Sequence, residues 1–253
     1  MTQPLLQTSA ITKWYGALLV TDQVSLDIRP GELHAIIGPN GAGKTTLINQ
    51  LSGELASDAG SIRFNGQDVT GLGINARARL GLVRSYQITS VFDEFTVREN
   101  AALAAMGARR HAFRFWHRLL SDSAALTAAD EGIQAAGLTA QAHLRASELG
   151  YGERRQLELA MALAAKPKFL LLDEPMAGMS VQESAAVVSL LQSLKKQYTI
   201  LLVEHDMNAV FALADRISVL VYGRILVSGT PDDIKQNEEV RAVYLGDEEV
   251  VAP

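Results

Sequence analysis

The sequence predicts an α/β fold with a parallel-sheet core, and three observations carry that prediction. Residues 33–37 form a short apolar run that ends in a glycine-rich loop and continues into a helix-like segment at 44–52, stopped by Gly53. Two further runs, 169–172 and 199–203, are apolar enough to be buried on both faces yet too short for buried helices. Each is followed by helical patterning, the alternation expected of strand–helix–strand units.

Taken in order, 61–64 and 81–85 read as additional strands, with Asn65-Gly66 supplying turn chemistry before Val69. Thr96-Val97-Arg98-Glu99 is a capping box that opens an alanine-rich segment, and Gly137 breaks the helical composition that follows. The stretch from 96 to about 144 therefore reads as a helical insertion, followed by a helix over 153–165. A second capping box, Ser180-Val181-Gln182-Glu183, starts a helix in which Val187, Leu190, Leu191 and Leu194 share one face. A helix near 208–214 and a hairpin over 217–227 around Gly223 complete the pattern.

With 253 residues the chain can bury a full core without staples, and 48% hydrophobic residues with 20% charged argue against disorder and coiled coil. The net charge of −5 excludes a global basic field, so no nucleic-acid partner is expected. Zero cysteines exclude disulfides, thiolate metal sites and cysteine nucleophiles at once. Neither a secretory leader nor a run of about 18 apolar residues is found, so a soluble or peripheral chain is expected.

Gly38-Pro39-Asn40-Gly41-Ala42-Gly43-Lys44-Thr45 satisfies GxxxxGK[ST] between a predicted strand and a predicted helix. Glycines let backbone N–H groups turn toward phosphate oxygens, Lys44 reaches the terminal phosphates, and the Thr45 hydroxyl suits Mg²⁺. Gly38, Asn40, Gly41, Gly43, Lys44, Thr45 and the next residue, Thr46, are accordingly the candidate nucleotide-binding residues. Asp173 and Glu174 close the run at 169–172, where open α/β sheets hold their ligands. Asp173 suits the Mg²⁺ shell. Glu174, pointing away from Asp173 in an extended chain, is placed to orient or deprotonate a water. By itself an Asp-Glu pair after a strand is more often a cap or a solvated turn; the glycine-rich loop changes that balance. His205 is the one histidine of five that follows such a strand, a position from which an imidazole reaches a γ-phosphate oxygen. His34, His111, His117 and His143 lack metal-ligand spacing and read as solvent or packing residues.

Leu149-Gly150-Tyr151-Gly152-Glu153-Arg154-Arg155-Gln156, just upstream of 169–174, resembles the signature motif of ATP-binding-cassette (ABC) ATPases. With it, almost the whole chain is similar to the nucleotide-binding subunit of an ABC transporter. The resemblance implies a P-loop NTPase fold with an N-terminal antiparallel β part and a parallel-sheet, RecA-like core. A helical subdomain at about 96–165 would be inserted in that core, within one ATP-binding domain over 1–253. It implies ATP and Mg²⁺ as cofactors, with Tyr15 stacking on adenine and Gln87 sensing the γ-phosphate and joining Thr45 and Asp173 at the metal. His205 matches the switch histidine, and Gly150, Gly152 and Glu153 match the signature residues that meet nucleotide. Transmembrane permease subunits and a second cassette, identical or paralogous, follow as partners, with a periplasmic solute-binding protein acting indirectly. The implied location is peripheral, on the cytoplasmic side of the inner membrane. Exposed Phe92 and Phe95 would dock a helix of a membrane subunit.

Glu204-His205-Asp206-Met207, Gly229-Thr230-Pro231 and Val243-Tyr244-Leu245-Gly246 look most like branched-chain amino-acid importers, so import of a small polar solute, an amino acid or amide, is the expected role. Similar endings occur in the lipopolysaccharide-export ATPase. Two positions depart from the family pattern: Gly150 replaces the usual signature serine, and Ser180 stands where aspartate is usual. They leave open a regulatory cassette that binds ATP with little hydrolysis. A GTP-binding switch would need an Asn-Lys-x-Asp motif, and the sequence contains no Asn-Lys pair.

Overall fold

A computed structural model describes residues 3–85, 91–108 and 122–248, the last five of these by backbone only. The chain forms two compact units, one from residues 1–73 with 199–253, the other from 74–198.

The first unit begins with two long antiparallel strands, β1 (Leu6–Tyr15) and β2 (Leu18–Ile28). Then come β3 (Leu33–Ile37), the glycine-rich loop, α1 (Lys44–Ser52), β4 (Ala59–Phe64) and the short β5 (Gln67–Asp68). The antiparallel sheet runs β2-β1-β4-β5. Register shifts interrupt β1 between Thr8 and Thr12, and Ala10 and Gln23 take positive φ of 49° and 50°. These bulges twist the sheet and break the strict alternation of buried and exposed side chains.

The second unit contains α2 (Ile74–Leu80), β6 (Leu82–Ser85), α3 (Val97–Gly107), α4 (Ser123–Ala135), α5 (Tyr151–Ala164), β7 (Phe169–Asp173) and α6 (Val181–Leu194). β6 and β7 pair in parallel. Helices α3, α4 and α5 enclose a core rich in alanine, including Ala101, Ala105, Ala128, Ala129 and Ala160, all at most 2% exposed. Small side chains bring helix backbones close, so packing contact is made by the backbone as well as by side chains. The capping boxes expected at Thr96 and Ser180 both form, and Gly137 follows α4 in the left-handed region. α5 starts at Tyr151 rather than at the expected 153. The Glu153 carboxylate accepts the Gly150 N–H at 2.9 Å, which lets the helix begin earlier.

The chain then returns to the first unit with β8 (Thr199–Val203), α7 (Met207–Leu213), the hairpin β9 (Arg216–Val221) and β10 (Arg224–Gly229), α8 (Pro231–Gln236) and α9 (Glu238–Glu248). Here the strand order is β10-β9-β3-β8, with β3 parallel to both β8 and β9. All five residues of β3 and of β8 are buried, as expected of mainly apolar parallel strands covered on both faces, and their two polar members, His34 and Thr199, are buried with them.

One buried polar cluster crosses this sheet. His34 Nδ1 lies 3.0 Å from Glu32 Oε1 and Nε2 lies 2.8 Å from Ser218 Oγ, while Arg216 Nε donates to Glu32 at 2.7 Å. Burial alone would raise the Glu32 carboxyl, yet hydrogen bonds from His34, the Arg29 N–H and Arg216 hold it down at about 2, against an ordinary 4.5. A depressed carboxyl stabilises the fold above its unfolded pKa, and that stability is lost as pH falls from about 4.5 toward 2. Glu32→Gln is therefore expected to flatten the fall in Tm across that acid window, measured by calorimetry. An unchanged slope would contradict the assignment.

Candidate functional site

In the first unit the glycine-rich loop leaves the end of β3 and winds into α1. Gly43 is the N-cap residue, at φ 99° and ψ 10°, and a Cβ there would lie 2.6 Å from the Val20 carbonyl oxygen, so both backbone and space demand glycine. No side chain caps α1, which leaves its first-turn N–H groups and the positive end of its dipole for an anion. The loop is braced from within, where Ala42 N–H donates to Pro39 O at 3.2 Å, and from outside, where Gly223 N–H donates to Ala42 O at 2.9 Å. Lys44 is 7% exposed, with its ammonium donating to the Gly38 and Pro39 carbonyls at 2.7 and 3.0 Å. The cation is thereby held inside the loop that would surround phosphates. Asn40, Gly41 and Thr45 are exposed and Thr46 is partly exposed at the same mouth.

Tyr15 ends β1 opposite Leu18, and Trp14, Tyr15 and Leu18 are 47%, 51% and 65% exposed. Asp58 anchors this end of the hairpin, accepting from the Trp14 N–H and the Lys13 ammonium, each at 2.7 Å. These contacts hold the Asp58 carboxyl below its ordinary range, the Lys13 bond first. An exposed ring on a fixed strand end suits stacking on a flat base. His205 follows β8 and is exposed; its N–H donates to Glu204 Oε2 at 2.9 Å, and Asp206 caps α7.

In the second unit Asp173 ends β7, 6% exposed, with Oδ2 accepting from Arg84 at 2.8 Å. This buried ion pair is not legible in the sequence, where Arg84 is one residue of the strand-like run at 81–85. A basic residue at the carboxyl end of a buried strand beside a candidate metal carboxylate was the available signal. The sequence also placed Glu174 on an extended chain; the structure corrects this. Glu174 has φ 47°, and the chain turns at once, Ala177 N–H donating to Glu174 O at 3.1 Å. The two carboxylates are therefore separated by a left-handed turn rather than by strand alternation. A side chain in that conformation costs about 1–3 kcal/mol and persists only where its surroundings hold it.

At the start of α5, Gly150 is the N-cap residue and lacks a hydroxyl, so only the Glu153 half of a capping box is made. Glu153 also accepts from Gln141 at 2.9 Å. Gln87 lies outside the described residues. Of the remaining expected residues, the first unit holds Gly38 through Gly43 in the loop, Lys44, Thr45 and Thr46 in the first turn of α1, Tyr15 at the end of β1 and His205 after β8, whereas the second holds Gly150, Gly152 and Glu153 at one helix start and Asp173 and Glu174 at one strand end.

Residues 21–177, more than half the chain, match the model of the family described as ABC transporter. The chain belongs to this family. Residues 224–250 of the cassette match a second model, described as branched-chain amino acid ATP-binding cassette transporter. The cassette is 38% identical over 259 residues to the high-affinity branched-chain amino acid transport ATP-binding protein LivG of Salmonella typhimurium, covering 98% of this chain and 100% of that one. BraF of Pseudomonas aeruginosa, described in the same words, is 36% identical over 262 residues, again covering 98% and 100%. Among solved structures, the ADP conformation of MJ1267, an ATP-binding cassette of an ABC transporter, superposes with TM-score 0.87 at 28% identity, over 97% of this chain and 100% of that one. A nucleotide-free cassette from an ABC transporter gives 0.85 at 27%, covering 96% and 99%. The cassette is thus a nucleotide-binding ATPase with the parallel-core fold of P-loop NTPases.

Proposed function

We propose that this cassette hydrolyses ATP·Mg²⁺ to power import of a small polar solute, with branched-chain amino acids the leading class. The observation that carries the solute class is the 36–38% identity to LivG and BraF over nearly the full chain. The match at 224–250 supports it independently of the nucleotide motifs.

In this reading the α1 amides and Lys44 bind the phosphates, and Tyr15 stacks on the base. Thr45 and Asp173 are hard oxygen donors that fit Mg²⁺, which takes few protein ligands and completes its shell with phosphate and water. Bound there, the metal would neutralise charge on the phosphates. Gln87 would join them and sense the γ-phosphate. Glu174 orients or deprotonates the attacking water, and His205 donates to the γ-phosphate. Gly150, Gly152 and Glu153 would meet the nucleotide of a second cassette. The helical subdomain is taken as 96–165, within a single ATP-binding domain.

Among the described residues no helix is long and apolar enough to cross a membrane. The transport ATP-binding relatives support a peripheral place, on the cytoplasmic side of the inner membrane in this reading. Permease subunits would supply the membrane path. Phe92, 57% exposed with its ring centroid 5.3 Å from that of Phe95, is the candidate docking aromatic.

Tyr15→Ala is expected to weaken ATP and GTP to the same extent, about 1 kcal/mol or fivefold, because stacking ignores base edges. Titration with both nucleotides checks this; a loss confined to ATP would contradict stacking. Gly150→Ser fits without strain, since a Cβ there approaches nothing nearer than Glu153 Oε2 at 3.7 Å. The added hydroxyl is expected to raise turnover by up to about tenfold, the effect of 1.4 kcal/mol. Steady-state hydrolysis that stays at the parental rate would show that backbone donors suffice. The function itself is tested by purifying the tagged cassette from membranes. Permease subunits and a periplasmic solute binder are the expected companions, and an outer-envelope lipid-export complex in their place would overturn import.

A further inference from the structure

The turn that carries Glu174 is clasped to the start of α5 from two sides. Tyr151 Oη donates to the Ala177 carbonyl at 2.9 Å, and the ring lies against Gly178, where a Cβ would sit 3.1 Å from that hydroxyl. Arg155, one helical turn on, stacks over the same ring at 5.7 Å and reaches its hydroxyl at 3.4 Å. Arg155 is held in turn by Glu158 at 3.0 Å. On the other side Glu183, in the first turn of α6, accepts the Ser180 N–H at 2.9 Å and hydroxyl at 2.7 Å. The same carboxylate accepts the N–H of Gly152. The approach is close: a Cβ on Gly152 would lie 2.9 Å from Glu183 Oε1, so a side chain there would push the Glu183 carboxylate aside.

We propose that Tyr151 and Glu183 are positioning residues that fix the 174–180 turn to α5 and so hold Glu174 in its left-handed conformation. The inference rests on the reading of Glu174 as the group that orients the water. A non-glycine residue at φ 47° needs outside support, and beyond the turn's own backbone bonds the clasp supplies it. The bonds from Ser180 and then from Gly152 hold the Glu183 carboxyl below its ordinary range, so it accepts as a carboxylate. Tyr151 is 50% exposed, so its hydroxyl contributes little to the core. Loosening the clasp should therefore slow chemistry while leaving stability nearly intact. Any shift of the first turn of α5 is also transmitted directly to Glu174.

The test uses Tyr151→Phe, Glu183→Gln and the double variant in the full chain assembled with its permease subunits. Glutamine at this position still caps α6, so Glu183→Gln removes the second acceptor oxygen rather than the helix start. The double variant should lose about tenfold in kcat, equivalent to about 1.4 kcal/mol, with KM for ATP and Tm unchanged. A merely structural role would lower residual hydrolysis equally in a Glu174→Gln background, followed with radiolabelled ATP. The clasp predicts no further loss there, because it acts through Glu174. Unchanged kcat, or equal losses in both backgrounds, overturns the inference while the Glu174 reading stands. If Glu174→Gln alone keeps parental turnover, that reading fails first and the clasp has nothing to position.

Discussion

Replacing Glu174 with glutamine lowers ATP turnover by about 10²–10⁴-fold while ATP binding survives, the loss associated with removing a positioned general base. Glutamine keeps the size and one acceptor oxygen, so the turn after β7 should be retained. The result separates two roles that the structure permits for a carboxylate at the end of a strand. A cap would matter to stability and leave hydrolysis alone; a group that orients the water would do the reverse. Paired measurements of Tm and steady-state hydrolysis read both at once. Parental turnover would assign the water to another group and reduce Glu174 to a turn residue.

Lys44→Ala should weaken ATP by about 10²-fold or more, since the loop loses charge-assisted bonds worth about 1.5–3 kcal/mol each. Lys44 is the cation that the structure holds within the loop, its ammonium on the Gly38 and Pro39 carbonyls. The alanine variant gives up this bracing as well, so Tm is measured alongside to separate a collapsed loop from a lost phosphate contact. Micromolar ATP affinity in a folded variant would contradict the assignment of the loop.

The nucleotide-binding half of the site was legible because its chemistry is local. Strand, glycine-rich loop and helix follow one another within 20 residues, and the spacing of Gly38, Gly43, Lys44 and Thr45 has few other uses. Buried strands β3, β7 and β8 were equally plain, because parallel strands covered on both faces are mainly apolar, with the polar His34, Asp173 and Thr199 as exceptions. β1 and β2 are not legible from local pattern, since the bulges at Ala10 and Gln23 erase the two-residue period of a strand. The conformation of Glu174 escaped for a different reason. Its positive φ is sustained by groups that approach through the fold: Tyr151, which bonds the Ala177 carbonyl, and Gly152, which bonds Glu183, both lie more than 20 residues before it in sequence. Arg84 illustrates the same limit, since its partner Asp173 is 89 residues away. Contacts that set a residue's conformation from a distance leave no periodic trace in its own segment.

In the proposed function, ATP hydrolysis by this cassette drives solute inward. The most direct measurement is uptake of labelled leucine by sealed vesicles that contain the cassette with its permease subunits, with the solute binder supplied on the uptake side and ATP on the cassette side. Accumulation should require ATP and Mg²⁺, continue against a leucine gradient, and vanish with Lys44→Ala or Glu174→Gln. Accumulation at the same rate with either variant, or with ATP withheld, would contradict the account.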